Sequence, residues 1–199
     1  MGGGPLPGHR RPLARGAPRP RRPLSDPTAT PVLRGPRVAL RPLRPADRRI
    51  LRAILAQPEV ARWWDTADPD QAVDEWLAAD PGTVGFAIEL DGHVVGSIQF
   101  VEETAPGYRH AGIDLFLDRD HHGRGLGPEA IRVVARYLIE VRGHHRLTID
   151  PSAANERAIR AYERVGFRRV GIMRRYERGP DGTWHAGLLL DLLAGELSE

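Results

Sequence analysis

The stretch that most constrains this chain is AGIDLFLDRDHHGRGLG, residues 111–127. Its first half reads as a buried strand over 112–117 and its second as a glycine loop, His122-Gly-Arg-Gly-Leu-Gly127. The loop opens a helical pattern, PEAIRVVARYLIEVR. A strand, a glycine loop and a helix N-terminus together make an anion site. Successive backbone N–H groups point out of the loop, and the helix macrodipole adds about half a positive charge behind them. Glycine also lets the backbone approach a phosphate closely. Asp114 lies on the strand that runs into this site, which places a candidate base beside a candidate phosphorylated cofactor. Rival readings of the loop are testable on spacing. There is no Gly-Lys-Ser/Thr, which excludes a nucleotide-triphosphate P-loop. The spacing is Gly-x-Gly-x-Gly, not Gly-x-Gly-x-x-Gly, and about 110 residues precede it. A dinucleotide site wants its loop early in a run of βαβ units, although Asp150 lies where a ribose-binding acid would stand. A ligand-free glycine turn also stays open on the local sequence.

Charge bears on the partners. Residues 1–34 hold seven Arg and one acid, a net of +6, so the rest carry −3 of the overall +3. The basic character therefore belongs to the leading segment and is no nucleic-acid footprint on the folded part. Residues 1–34 are rich in Pro, Gly and Arg and poor in large apolar residues, so the expectation is a disordered tail followed by one domain over 35–199. Arg10-Arg11 is followed by no 7–15-residue apolar segment, which argues against an export signal. No apolar run reaches the ~18 residues of a membrane span. A cytoplasmic protein is expected, as monomer or homodimer. The chain has no cysteine, so disulfides, Cys nucleophiles and Cys-containing zinc sites are excluded. The pairs His121-His122 and His144-His145 point to opposite sides of an extended chain, and no metal is expected.

In chain order the patterns alternate unevenly. A strand over 38–43 precedes a helix opened by Pro45-Ala-Asp47 and ended by Pro58, and a second helix spans 69–79. Strands over 84–90 and 93–101 flank Asp91-Gly92, a two-residue hairpin signal. A third strand spans 108–117. A helix over 125–142, a strand over 145–150, a helix over 155–165 and strands over 167–175 and 184–192 follow. The order β-α-α-β-β-β-α-β-α-β-β predicts an α/β (α+β) fold: a mixed, mostly antiparallel central sheet with helices on both faces. The strands over 113–117 and 146–150 can lie parallel across one helix.

Two motifs in order carry a resemblance. The loop has the form Gln/Arg-x-x-Gly-x-Gly/Ala, with His122 in the leading place. About 30 residues on comes Asn155-Glu-Arg-Ala-Ile-Arg-Ala-Tyr162-Glu-Arg-Val-Gly-Phe167. Over roughly residues 36–192 the chain resembles the GCN5-related N-acetyltransferase (GNAT) superfamily. The resemblance implies a V-shaped splay between two parallel strands and acetyl-CoA as co-substrate. Its pyrophosphate would lie on the N–H groups of His122, Gly123, Arg124, Gly125, Leu126 and Gly127. Its pantetheine would add like a strand beside Leu115, Phe116 and Leu117, with Asn155 hydrogen-bonded to it and Tyr162 as general acid to the departing sulfur.

The substrate side is similar to aminoglycoside 6′-N-acetyltransferases. The residues that carry this are Asp114-x-x-x-Leu, Thr148-Ile-Asp150-Pro-Ser and the tandem Trp63-Trp64. In that group the acid matching Asp114 takes the proton from the 6′-ammonium, the acid matching Asp150 contacts the cationic sugar, and a Trp lines the pocket. The chemistry is consistent: an ammonium is not nucleophilic until a base deprotonates it, and a Trp face packs on a sugar or a cation. Glu102 is read as a further acid of the pocket. The implied activity is transfer of acetyl to a primary amine of a cationic small molecule, the 6′-amine of aminoglycosides, which is antibiotic resistance. The alternatives are another amine (a siderophore hydroxylysine, a polyamine or a protein N-terminus) or a non-enzymatic acyl-CoA-binding module.

Overall fold

The computed structural model describes residues 30–64, 68–78, 82–179 and 181–198. Eight strands form one sheet. They are β1 (Leu33–Arg34), β2 (Val38–Pro42), β3 (Thr83–Leu90), β4 (His93–Glu103), β5 (His110–Leu117), β6 (Arg146–Ile149), β7 (Arg168–Arg178) and β8 (Trp184–Leu193). The order across the sheet is β1-β2-β3-β4-β5-β6-β8-β7. Every pairing is antiparallel except β5 with β6. The helices are α1 (Arg48–Leu55), α2 (Pro58–Ala61), α3 (Pro69–Leu77), α4 (Leu126–Arg136) and α5 (Glu156–Glu163). The α/β class and the mostly antiparallel sheet are as the sequence predicts. The hairpin at Asp91-Gly92 also forms, with φ of 50° and 79°, the left-handed pair that a tight two-residue turn requires.

The alternation of side chains along β5 divides the core. Ile113 faces the larger cluster, which holds Phe86, Ile98 and Phe100 of the sheet, Ile131, Val134 and Leu138 after the glycine loop, and Ile159 of α5. Phe116, an odd number of residues further on, faces the smaller cluster with Leu51, Ile54 and Leu55 of α1, Val60 and Val73. Asp114 shares the Phe116 face. The two parallel strands pair only at Ala111 with Leu147 and Gly112 with Thr148. That pairing lies nearer the start of β5 than the span expected from sequence, and it leaves the β6-facing edge of residues 113–117 free. Here the sheet splays.

Several boundaries move. Leu33–Arg34 pairs with Leu40 and Ala39, so the boundary after residue 34 leaves a paired strand in the expected tail; residues 1–29 of that tail lie outside the described residues. Pro58 opens α2, at the first-turn position where its missing N–H costs nothing, instead of only ending α1. The helix expected over 125–142 changes at Tyr137–Val141 into a π turn. No helix among the described residues is long and apolar enough to cross a membrane.

Candidate active site

The glycine loop crosses the open end of the splay. Gly123 and Gly125 have φ of 74° and 78°, and Gly125 is the left-handed N-cap of α4. Among the described residues, the backbone N–H groups of residues 123–127 donate to no protein acceptor, as expected of a loop feeding a helix start, whereas the His122 N–H, expected among the donors to a pyrophosphate, already donates to the Arg119 carbonyl at 3.0 Å. The loop is held from three sides. Glu129 of α4 accepts from the N–H groups of Arg37 and Val38 at 2.6 and 3.0 Å, and the Arg37 guanidinium donates to the Arg124 carbonyl. His122 holds the third side: Nε2 lies 2.8 Å from the Leu117 carbonyl, at the end of β5, and Nδ1 lies 2.9 Å from Nη1 of Arg157 on α5. Burial and then the Arg157 charge push the His122 imidazole below its ordinary pKa. A neutral ring fits both contacts, donating from Nε2 and accepting at Nδ1. That is the physical role of the residue standing where the family pattern has Gln or Arg.

A cleft of about 620 Å³ runs along this loop, lined among others by Leu115, Phe116, Leu117, Gly125, Asn155 and Tyr162. The Phe116 side chain itself is buried, stacked edge-on against Trp64 with ring centroids 5.5 Å apart. Its contribution to the cleft is therefore backbone. Asn155 caps α5, its Oδ1 accepting from the Ala158 N–H at 3.2 Å, so its amide NH₂ is the group left for the cleft. A smaller cavity of about 210 Å³ adjoins, lined by Trp63, Trp64, Asp114, Leu115, Ile149, Asp150, Ser152, Tyr162 and Tyr176 among others. Trp63, Trp64, Leu115, Asn155 and Tyr162 border both spaces. The two Trp differ: Trp64 also packs on Trp76 at 5.3 Å, whereas the Arg62 guanidinium sits 4.6 Å over Trp63.

Two carboxylates, Asp114 and Asp150, line the smaller cavity. Burial first, and the Asp150 charge second, push the Asp114 carboxyl up from 3.8 to about 6, against the smaller opposing effect of the Gln99 amide. Gln99 is the cross-strand partner of Asp114. Asp150 follows β6 and accepts a hydrogen bond from the Tyr176 hydroxyl. Burial, then the charges of Asp114 and Asp150, hold the Tyr162 hydroxyl well above the usual tyrosine range, so it keeps its proton. A protonated Tyr162 hydroxyl thus stands at the junction of a cleft with free N–H groups and a pocket lined by two acids. An acyl donor in the first and an amine in the second would meet at that junction. Among the described residues no group of His, Cys, Asp or Glu is placed to hold a metal ion.

The family model described as the acetyltransferase (GNAT) domain matches residues 37–168, most of the chain. The chain belongs to the GNAT acetyltransferases. It is 32% identical over 165 residues to the aminoglycoside N(6′)-acetyltransferase type 1 of Klebsiella pneumoniae, covering 73% of this chain and 79% of that one. It is 27% identical to the spermidine N(1)-acetyltransferase of Escherichia coli K12, covering 65% and 72%. Among solved structures, Mycobacterium smegmatis RimJ in complex with CoA-disulfide aligns with a TM-score of 0.73 at 25% identity, covering 85% and 88%. AAC(6′)-Ib in complex with paromomycin and acetyl-CoA aligns with a TM-score of 0.66 at 26% identity, covering 80% and 96%. GNAT enzymes use acetyl-CoA, and the cleft fits it: five free N–H groups for a pyrophosphate and an unpaired strand edge for a pantetheine.

In this GNAT fold one expected substrate residue stands elsewhere. Glu102 lies outside both cavities, because it faces the α4 side of β4. Its Oε1 is 2.6 Å from Nε2 of the buried His144, and its Oε2 accepts from Arg142. Burial pushes its carboxyl up, but those two hydrogen bonds outweigh it and hold it below the usual range. A carboxylate paired in this way is a structural anchor for the start of β6. Conversely, Gln99 and Tyr176 border the acids although no sequence motif marks them. Only the strand register of β4 on β5 could have found Gln99.

The loop supplies a direct test. Gly125→Asp puts a β-carbon at a φ of 78° and a negative charge among the free N–H groups. Calorimetry on the folded variant should show CoA binding weaker by at least ~2 kcal/mol, the scale of a lost charge-assisted contact. Unchanged affinity would mean that the anion lies elsewhere.

Proposed function

We propose that this acetyltransferase moves the acetyl group of acetyl-CoA to a primary amine of a cationic small molecule, with the 6′-amine of an aminoglycoside as the best-fitting acceptor. The observation that carries this reading is the pairing of Asp114 and Asp150 in one cavity walled by Trp63 and Trp64 and joined at Tyr162 to the cofactor cleft. Two carboxylates in one pocket attract ammonium groups, and a Trp face packs on a sugar ring or a cation.

In the proposed reaction Asp114, directly or through one water, accepts a proton from the substrate ammonium. The freed amine nitrogen attacks the thioester carbonyl, the C–S bond breaks, and Tyr162 donates its hydroxyl proton to the leaving sulfur. Asp150 holds a second ammonium of the same substrate. A polyamine is the second reading, favoured by the likeness to a spermidine acetyltransferase.

Following thiol release from acetyl-CoA against aminoglycosides, polyamines and peptides separates these readings. Turnover of kanamycin or tobramycin well above that of spermidine supports the first, and the reverse ranking supports the second. Turnover confined to peptides, or none with any amine, would overturn both.

A further inference from the structure

β7 leaves its ladder where it passes the substrate pocket. Met173 pairs with Gly187 and Glu177 with His185, so three residues of β7 stand opposite Ala186 alone. Within this bulge Arg175 has φ of 51°, a left-handed conformation that a non-glycine residue keeps only where its surroundings enforce it. The turn carries the Tyr176 ring across β8 at Gly187. A β-carbon at Gly187 would lie 2.6 Å from Cδ1 of Tyr176 and 3.1 Å from Cε of Met173, so this position has no room for a side chain while Tyr176 stays in place. Gly187 is itself bridged to Ser152, two residues beyond Asp150. At the end of this arrangement the Tyr176 hydroxyl donates to Oδ2 of Asp150. Core packing does not account for it, since Tyr176 is 46% exposed.

We propose that Tyr176 is a positioning residue: it fixes Asp150 as the second carboxylate of the pocket and so gives the enzyme a preference for acceptors that carry a second ammonium group. The inference rests on the cationic-amine reading above. A carboxylate on a pocket rim can rotate and stay solvated, and a ligand must then order it. One already held by a hydroxyl imposes less of that ordering cost on the ligand. With Oδ2 engaged, Oδ1 is the oxygen left for an ammonium. Asp114, on the other wall, serves the reacting nitrogen. An acceptor with one amine uses only the Asp114 side and gains nothing from Tyr176.

Steady-state kinetics on the full chain test this with kanamycin, which has several amines, and methyl 6-amino-6-deoxyglucoside, which has one. Tyr176→Phe keeps the ring and removes the hydroxyl. It should raise the kanamycin KM about tenfold, the effect of losing one hydrogen bond to a charged group, with kcat changed by less than about twofold. The KM of the single-amine sugar should move by less than about twofold. Because Tyr176 acts through Asp150, Tyr176→Phe combined with Asp150→Asn should raise KM no further than Asp150→Asn alone. Gly187→Ala, which displaces the Tyr176 ring from outside the pocket, should reproduce the selective rise, with a thermal melt to check its folding. An unchanged kanamycin KM in Tyr176→Phe, an equal rise for both acceptors, or additive losses in the double variant would each overturn the assignment. Wild-type protein that acetylates neither acceptor would overturn the aminoglycoside reading, and the preference with it; active wild type with an unaffected Tyr176→Phe would overturn the Tyr176 role alone.

Discussion

Asp114→Asn is expected to lower kcat toward kanamycin by about 10²–10⁴, the usual contribution of a general base, while leaving acetyl-CoA affinity intact. The amide matches the carboxylate in shape, so packing beside its cross-strand partner Gln99 is preserved. The pH profile should carry the same signature. The base acts ionised, and its carboxyl titrates at about 6. Wild-type kcat/KM should therefore fall as pH drops through about 6, and the variant should lack that limb. It should also lose less at high pH, where more substrate amine is already neutral. An amide at position 114 with full kcat at pH 6–7 would remove Asp114 as the base.

The same substitution makes a stability prediction of opposite sense. Asp114 titrates at 3.8 in an ordinary setting and at about 6 in the fold, so its ionised form is disfavoured by folding. Its stability contribution is best below pH 4, declines between 4 and 6, and stays low above 6. Asp114→Asn should thus stabilise the protein at pH 7.5, by on the order of 3 kcal/mol at the upper end, and change little at pH 4. A melting temperature raised at pH 7.5 and unchanged at pH 4 would mark the carboxylate as held for chemistry at the expense of stability.

Tyr162→Phe should lower kcat by about 10²–10³, within the range for general acid catalysis, with substrate and acetyl-CoA KM changed far less. The ring is partly buried between cleft and pocket and packs near Phe167, with centroids 6.4 Å apart, so Phe keeps the packing. Because the hydroxyl titrates above the usual tyrosine range, wild-type activity should show no alkaline loss from this group below about pH 10. The test is sharpest with a donor whose leaving group needs no proton. An activated thioester with an acidic thiol should recover much of the lost rate, and a variant equally slow with both donors would leave Tyr162 a packing role only.

The sequence alone determined what depends on neighbours in the chain. Glycines at residues 123, 125 and 127 before a helical period mark a loop of free N–H groups, because φ > 0 and unpaired N–H groups at a helix start are local properties. The order of strands and helices sets the class of fold, and two motifs, 122–127 and 155–167, identify the family. Asp114 stood out because a carboxylate within an apolar strand needs a reason. What only the tertiary structure decided depends on pairing across distance. Glu102 and Asp114 are both acids of the same hairpin, yet they face opposite sides of the sheet, and Glu102 meets Arg142 and His144, forty and forty-two residues away. Tyr176 reaches Asp150 across twenty-six residues, through a bulge with no local signature in Met173-Arg-Arg-Tyr-Glu177. Side chains alternate along a strand, so a one-residue change in register or a single bulge moves a group from one face of the sheet to the other. That choice is made by what packs on each face, which is why the glycine loop was legible in the sequence and the contact of Tyr176 with Asp150 was not.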